Sequence, residues 1–286
     1  MKFPMKMRYR IPISAMRTVV LLATVSTLLS LCACAGDSGR LPEEVKRVVE
    51  AVKSDEPQKF AAICSYPVER PYPLRDVADA REMEEYYKVL VDDSLRRVIT
   101  KAPAAAWSEL GWRGWTLDDG KYLWIDSTVY NISYISSAEK ELIRTLSEEE
   151  IKSLPKDLRA GWHPATCLRD MQEGTVYRID VNDNPTAPAD SLYRLCIYPP
   201  EYKLEENPKA VLTGELKMEG SAGVRTFYFR NGNGDSLEYS PDDTDDEEAP
   251  NIIWKPTDGT PVSCRVQKAY WRDLIHPENT EKLLVR

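Results

Sequence analysis

Asp92 and Asp93 stand side by side, five residues beyond the pair Tyr86-Tyr87. A carboxylate held in an apolar pocket has a raised pKa, and with a tyrosine hydroxyl beside it the pair can take up and return a proton. That is the chemistry these four residues would carry as a catalytic group. Helix capping competes with it, because Asp92-Asp93-Ser94 interrupts an apolar pattern and such side chains accept from the N–H groups of a new first turn. Other spacings fail. A Ser-His-Asp site would have to use His163 or His276, the only histidines. Gly220-Ser221-Ala222-Gly223 has Glu219 where a nucleophile elbow needs its first glycine, so it reads as a turn. Asp180-Val181-Asn182-Asp183-Asn184 begins like a calcium loop, but Pro185 takes the glycine position and Ser191 the bidentate glutamate position.

Two further groups point to binding rather than catalysis. Trp112, Trp115 and Trp124, with Tyr122, straddle one expected hairpin, where alternation sends some rings to a core and leaves others to line a ligand pocket. Asp242, Asp243, Asp245, Asp246, Glu247 and Glu248 place six carboxylates in seven residues. Such a run is a solvated segment by default and a docking site for a basic partner by its sharper reading. No metal site and no cofactor are expected, since Cys64, Cys167, Cys196 and Cys264 form no C-x-x-C and two histidines add little. Cys64 follows Phe60 and Ile63 on an apolar helical face and is expected as a buried free thiol. At most one disulfide is expected, within the other three.

These residues need elements to hold them. Leu41-Pro42-Glu43-Glu44 opens a helix with proline and acids in its first turn, and Val45, Val48, Val49 and Val52 follow at helical spacing. Ser54-Asp55 is expected to cap a second short helix reaching Cys64. Pro67, Pro71 and Pro73 then force an extended connector. Met83, Tyr86, Tyr87, Leu90 and Val91 share a helix face, with recapping at Asp92. Beyond residue 112 the period becomes two, with an Asp-Gly turn at Asp118-Asp119-Gly120, a strand from Val129 to Ile135, and a charged helix from Ser137 to Leu154.

Helices first, then a short sheet containing Gly111-Trp112-Arg113-Gly114-Trp115, make residues 41–150, within an expected domain of 41–154, resemble the NTF2-like cone fold. The resemblance implies a concave pocket between sheet and helices, which in that superfamily serves isomerases, dehydratases and plain binding proteins; fold alone does not choose among them. Residues 155–170 are expected as a linker, with Pro155, Gly161 and His163-Pro164. From 171 to 286 short strand-like runs separated by Asn-, Gly- and Asp-rich turns predict a mostly antiparallel β sandwich or barrel. The expected class is therefore α+β in two domains.

The N-terminus supplies a location. Met1 to Arg17 carries five basic residues and no acid, and Thr18 to Leu31 is apolar, which is a secretory signal too short to span a membrane with ease. Leu31-Cys32-Ala33-Cys34 resembles the lipobox of bacterial lipoproteins, which implies cleavage after residue 33, a lipid on Cys34, and a tether over 34–40. Cys32 at the −2 position departs from the usual pattern. The implied location is the cell envelope of a Gram-negative-type bacterium, on the periplasmic face or the cell surface. Removing five basic residues leaves 33 against 46 acidic ones, a net charge of −13. That charge argues against a nucleic-acid partner and for anchoring by lipid rather than by electrostatics. The expected function is a non-enzymatic binding or accessory module for an envelope protein or a small ligand. The alternative is an isomerase- or dehydratase-like enzyme using Asp92 or Asp93.

Overall fold

The computed structural model describes residues 41–200, 206–220, 223–241 and 250–275. It begins with four helices: α1 (Glu43–Ser54), α2 (Pro57–Ala61), α3 (Ala80–Leu90) and α4 (Asp93–Lys101). In α1 the valines Val45, Val48, Val49 and Val52 are buried, as their spacing predicts. Asp55 does not open α2; it closes α1 in the left-handed conformation, and Pro57 at the first helical position opens α2 instead. The proline-rich connector is extended, with cis bonds at Tyr66-Pro67 and Tyr72-Pro73, and it packs through buried Val68, Leu74 and Val77.

A four-stranded antiparallel meander follows: β1 (Trp107–Glu109), β2 (Trp115–Leu117), β3 (Leu123–Ile125) and β4 (Val129–Asn131), paired in chain order. Asp118, Asp119 and Gly120 all take positive φ in the β2–β3 turn, which Asp, Asn and Gly tolerate best. Each strand is only three residues long. Leu117, Leu123, Ile125 and Val129 close a core against Phe60, Met83, Tyr87, Leu90, Leu95 and Ile99. Helix α5 (Ser137–Ser153) then crosses to the second half of the chain.

That half is a nine-stranded antiparallel sheet: β5 (Trp162–Asp170), β6 (Val176–Asn182), β7 (Tyr193–Tyr198), β8 (Ala210–Glu219), β9 (Val224–Arg230), β10 (Ser236–Tyr239), β11 (Ile252–Lys255), β12 (Val262–Cys264) and β13 (Val266–Ala269). The expected linker is thus mostly a strand. Pro164 is accommodated because the β5–β6 register shifts between Pro164 and Thr166, a bulge that needs no amide there. Arg265 alone separates β12, paired with β11, from β13, paired with β5. One bent segment therefore joins the two ends of the sheet into a nearly closed barrel. At the bend, Asn251 substitutes for a strand: its side-chain Oδ1 accepts from Val266 N–H at 2.9 Å, and its Nδ2 donates to Val266 O at 3.3 Å.

The barrel interior is filled by Ile179, Leu195, Ile197, Leu212, Phe229, Leu237, Ile252 and Trp254. The outer faces of β5 to β7 are buried as well, beneath Tyr72, Leu154, Leu158 and Trp271 of the short helix α6 (Trp271–Ile275). All four described cysteines are free, so the expected disulfide is absent from them. Cys167 and Cys196 both oppose Arg178, one from each side, and so lie two strand spacings apart. About 10 Å between strands next but one is too far for an S–S bond. Cys264 instead faces the interior, where its Sγ meets Tyr177 Oη at 3.5 Å. Among the described residues no helix is long and apolar enough to cross a membrane.

Candidate functional site

Asp92 caps α4. Its Oδ1 accepts from Ser94 N–H at 3.0 Å and Leu95 N–H at 2.9 Å, and its Oδ2 accepts from Tyr134 Oη at 2.9 Å and Ser137 N–H at 3.3 Å. Partial burial pushes its carboxyl up, but the hydrogen bonds from Leu95, Tyr134, Ser137 and Ser94 outweigh it and hold the group below its ordinary value. A general base would need the opposite shift. Asp93 lies in the first turn, on an exposed position, where an acid favours the helix dipole. Tyr86 and Tyr87 are buried elsewhere in the core, Tyr87 tilted against Phe60 with ring centroids 5.5 Å apart.

Tyr86 Oη donates to Glu139 Oε1 at 2.8 Å, and Glu139 is the centre of a fully buried ion pair. Arg70 donates to it twice, from Nε at 2.8 Å and Nη2 at 2.9 Å, and spends its remaining donors on the carbonyls of Ile132, Tyr134 and Glu69. Glu139 also closes a capping box with Ser136 at the start of α5. Every oxygen and nitrogen is used internally, so the arrangement locks the connector to the helix and leaves nothing for a substrate.

A second buried cluster joins the two halves of the chain. Arg178 is fully buried and donates to Glu150 Oε2 at 2.9 Å and Asp180 Oδ1 at 2.8 Å, while its guanidinium lies 4.8 Å from the Trp271 ring. Arg194, directly across the β6–β7 pair from Asp180, donates to Asp180 Oδ2 from Nε and Nη2. Tyr72 Oη donates to Glu150 Oε1 at 2.8 Å. Desolvation pushes the Glu150 carboxyl up to about 7, against the pull of Arg178 and Tyr72. The adjoining cavity, between Arg75, Glu149, Glu150 and Tyr270, is about 10 Å³, room for about one water. Charge here is structural.

The open end of the barrel is different. Lys209 and Ala210 at the start of β8 meet the β9–β10 and β11–β12 loops at one mouth around a cleft of about 400 Å³. Trp254 forms its floor at 7% exposure, and Lys209 Nζ lies 4.9 Å from the indole ring. Asn233, Asp235, Thr257, Asp258 and Thr260 line the rim. The rim is braced: Asp235 Oδ1 accepts from Thr257 N–H at 2.7 Å, and Thr257 Oγ1 donates to Asn233 O at 2.7 Å. The Thr257 N–H and then the Asn231 amide hold the Asp235 carboxyl below its ordinary value. A cleft of this volume at a barrel mouth, part apolar with a few convergent polar groups, has the form of a small-molecule site.

Comparison with protein-family models, curated proteins and solved structures yields no match. The site therefore stands on its own geometry.

The mouth is not where the sequence placed ligands. Trp112 is 86% exposed, in a tight turn between β1 and β2; Trp115 and Trp124 are half-buried. That turn requires glycine at 114, where φ is 80° and the backbone lies so close to β3 that an added Cβ would stand 2.1 Å from Ile125 O. Asp242, Asp243, Asp245, Asp246, Glu247, Glu248 and Cys34 lie outside the described residues. His163 pairs with Asp183 at 2.6 Å on the surface. Among the described residues no cluster of His, Cys, Asp or Glu has the form of a metal site. Lys209 and Trp254 left one trace in sequence, a tryptophan ending a short strand just ahead of Pro256-Thr257-Asp258-Gly259.

Proposed function

We propose that this chain is an envelope lipoprotein, tethered through Cys34, that acts as a non-enzymatic binding or accessory module with the barrel mouth as its binding site. The observation that carries the binding reading is the contrast between the two kinds of polar site. The buried cluster at Glu139 spends its hydrogen-bonding capacity internally and the cluster at Arg178 is enclosed, with Arg178 Nη2 left without a partner, whereas the mouth offers an open, braced cleft. The enzymatic alternative loses support because Asp92 is a capping carboxylate held below its ordinary pKa.

The NTF2-like likeness of residues 41–150 belongs to the same proposal. Helices preceding a meander favour it, but strands of three residues span only about 10 Å and do not wrap a deep pocket. In our reading this unit is a scaffold that holds the barrel at the membrane.

The test is metabolic labelling with a palmitate analogue in cells carrying the full chain or Cys34→Ala, followed by crosslinking and mass spectrometry. Label on the parent chain alone, with one reproducible envelope partner or a co-purifying small molecule, supports the reading. An unlabelled parent chain refutes the anchor, and a labelled chain with neither partner nor ligand refutes the module.

A further inference from the structure

We propose that the β1–β2 turn is a membrane contact, through which Trp112 and Leu110 enter the headgroup region of the bilayer that holds the Cys34 lipid. The proposal deepens the lipoprotein reading and rests on its anchor; the barrel mouth plays no part.

Trp112 is the outlier among the seven tryptophans. It is 86% exposed, whereas the other six are buried or half-buried. No hydrogen bond holds its indole among the described residues; the Arg113 guanidinium lies over the ring at 5.2 Å. The backbone beneath it, by contrast, is tied down. Leu110 N–H donates to Gly114 O at 2.8 Å, Gly114 N–H to Gly111 O at 3.0 Å, and Tyr130 Oη to Arg113 O at 3.3 Å. Leu110 and Tyr130 are themselves exposed. An indole on a hydrogen-bonded turn, with an aliphatic and a phenol beside it, loses little freedom on contact. Trp and Tyr gather at membrane interfaces because the ring is apolar while its polar edge stays wet.

The end of the tether says what covers this patch. Residues 34–40 reach at most about 25 Å, and they join the described chain at Leu41. Arg47, about 9 Å further along the helix, donates from Nη2 to Ser127 O in the β3–β4 turn at 2.9 Å. Asp126, next to Ser127, lies against the β1–β2 turn: a Cβ on Gly114 would stand 2.8 Å from Asp126 Cα. The β1–β2 and β3–β4 turns share one end of the meander, and the first half of α1 meets it. A lipid on Cys34 thus brings Trp112 within reach of its own bilayer. The short link keeps the turn at high effective concentration over that surface, so a contact weak in itself stays occupied. Charge does not drive it. Arg47 and Arg113 are matched by exposed Glu109 and Asp126, which belong to the strand ends behind the turn, so no anionic lipid is needed.

The experiment places the full chain, purified from palmitate-labelled cells, in phosphatidylcholine vesicles whose acyl chains carry bromine, a short-range quencher of tryptophan. Quenching of the intrinsic fluorescence is expected, and Trp112→Ser is expected to lower it at least twofold. Leu110→Asp keeps all seven fluorophores, puts a charge in the turn and is expected to lower it by a similar factor. Unchanged quenching in either variant, or none in the parent chain, overturns the proposal while the labelled anchor stands. An unlabelled parent chain overturns both. Self-association or a protein crosslink that is lost in Trp112→Ser, without quenching in the parent, assigns the patch to a second copy or a protein partner and likewise overturns the proposal.

Discussion

Arg178→Met is the most demanding perturbation of this structure. The guanidinium is wholly buried between Glu150 at 2.9 Å and Asp180 at 2.8 Å, with Trp271 stacked against it. Removing it leaves Asp180 with Arg194 as counter-ion, but leaves Glu150 with only the Tyr72 hydroxyl. Breaking a buried pair from one side costs about 3–5 kcal/mol, because an uncompensated charge stays in a low-dielectric site. With a urea m-value of about 2–3 kcal/mol/M, the unfolding midpoint should fall by about 1–2 M. The double variant Glu150→Leu with Arg178→Met should recover most of that loss, since replacing both partners by apolar groups is often neutral or better. The penalty should also be smaller at pH 5 than at pH 8, because Glu150 can then be buried as a neutral acid. Urea titrations followed by circular dichroism at both pH values measure all three quantities. A single-variant loss under about 1 kcal/mol, or a double variant no better than the single, would show that the cluster is not desolvated and that the argument is wrong.

Three smaller expectations accompany it. Because burial raises Glu150 from its ordinary value of 4.5 to about 7, the folded state holds a proton that the unfolded chain has lost, so this group's contribution to stability falls as pH climbs through that window. Thermal melts from pH 4.5 to 8 should show the slope in the parent chain and a flatter profile in Glu150→Gln. Asp92→Ala should cost about 1 kcal/mol in urea titrations, as loss of a cap does, and the loss should shrink as pH falls, because a depressed carboxylate stabilises only above its unfolded pKa. Finally, burial pushes the Cys64 and Cys196 thiols up to about 12 and Cys167 also upward. These three should resist Ellman's reagent at pH 8 until denaturant is added; rapid reaction in the native protein would contradict the packing around them.

Where pattern and burial coincide, the sequence was readable. The valine face of α1, the Asp92 cap, the Asp-Gly turn and the runs that became β6 to β11 all follow from local periodicity and turn chemistry. β5 was missed because Gly161 and Pro164 are turn residues in most settings, and only the bulge between Pro164 and Thr166 makes room for the proline within a strand. The buried ion clusters were missed because charge is read locally as solvation. Ser136-x-x-Glu139 did announce a capping box, but nothing local says that Arg70 returns to it across 69 residues. Arg178 and Asp180 alternate with Tyr177 and Ile179, a clue to two buried faces that needs α5 and α6 in place before it can be read. The barrel mouth assembles the start of β8 and two loops distant in sequence, so no motif describes it.

The closure of the barrel through the single residue Arg265 has a consequence for the order of events after synthesis. Val266 pairs with Asp170 across 96 residues of chain, and the segment just beyond it, Lys268 to Asp273, ties to Asp76 and Arg75 some 190 residues upstream. At about 5–20 residues per second, the first strand of the barrel waits about 5–20 s for its last partner to be made. During that interval β5 is an unpaired edge, open to pairing with another chain. The N-terminal half, which precedes β5 in the chain, has time to fold first and can offer a finished surface for the tail to fasten. A chain cut short near residue 265 would lose the clasp and the seam together, and should accumulate as aggregate rather than as a smaller, weaker version of the same protein.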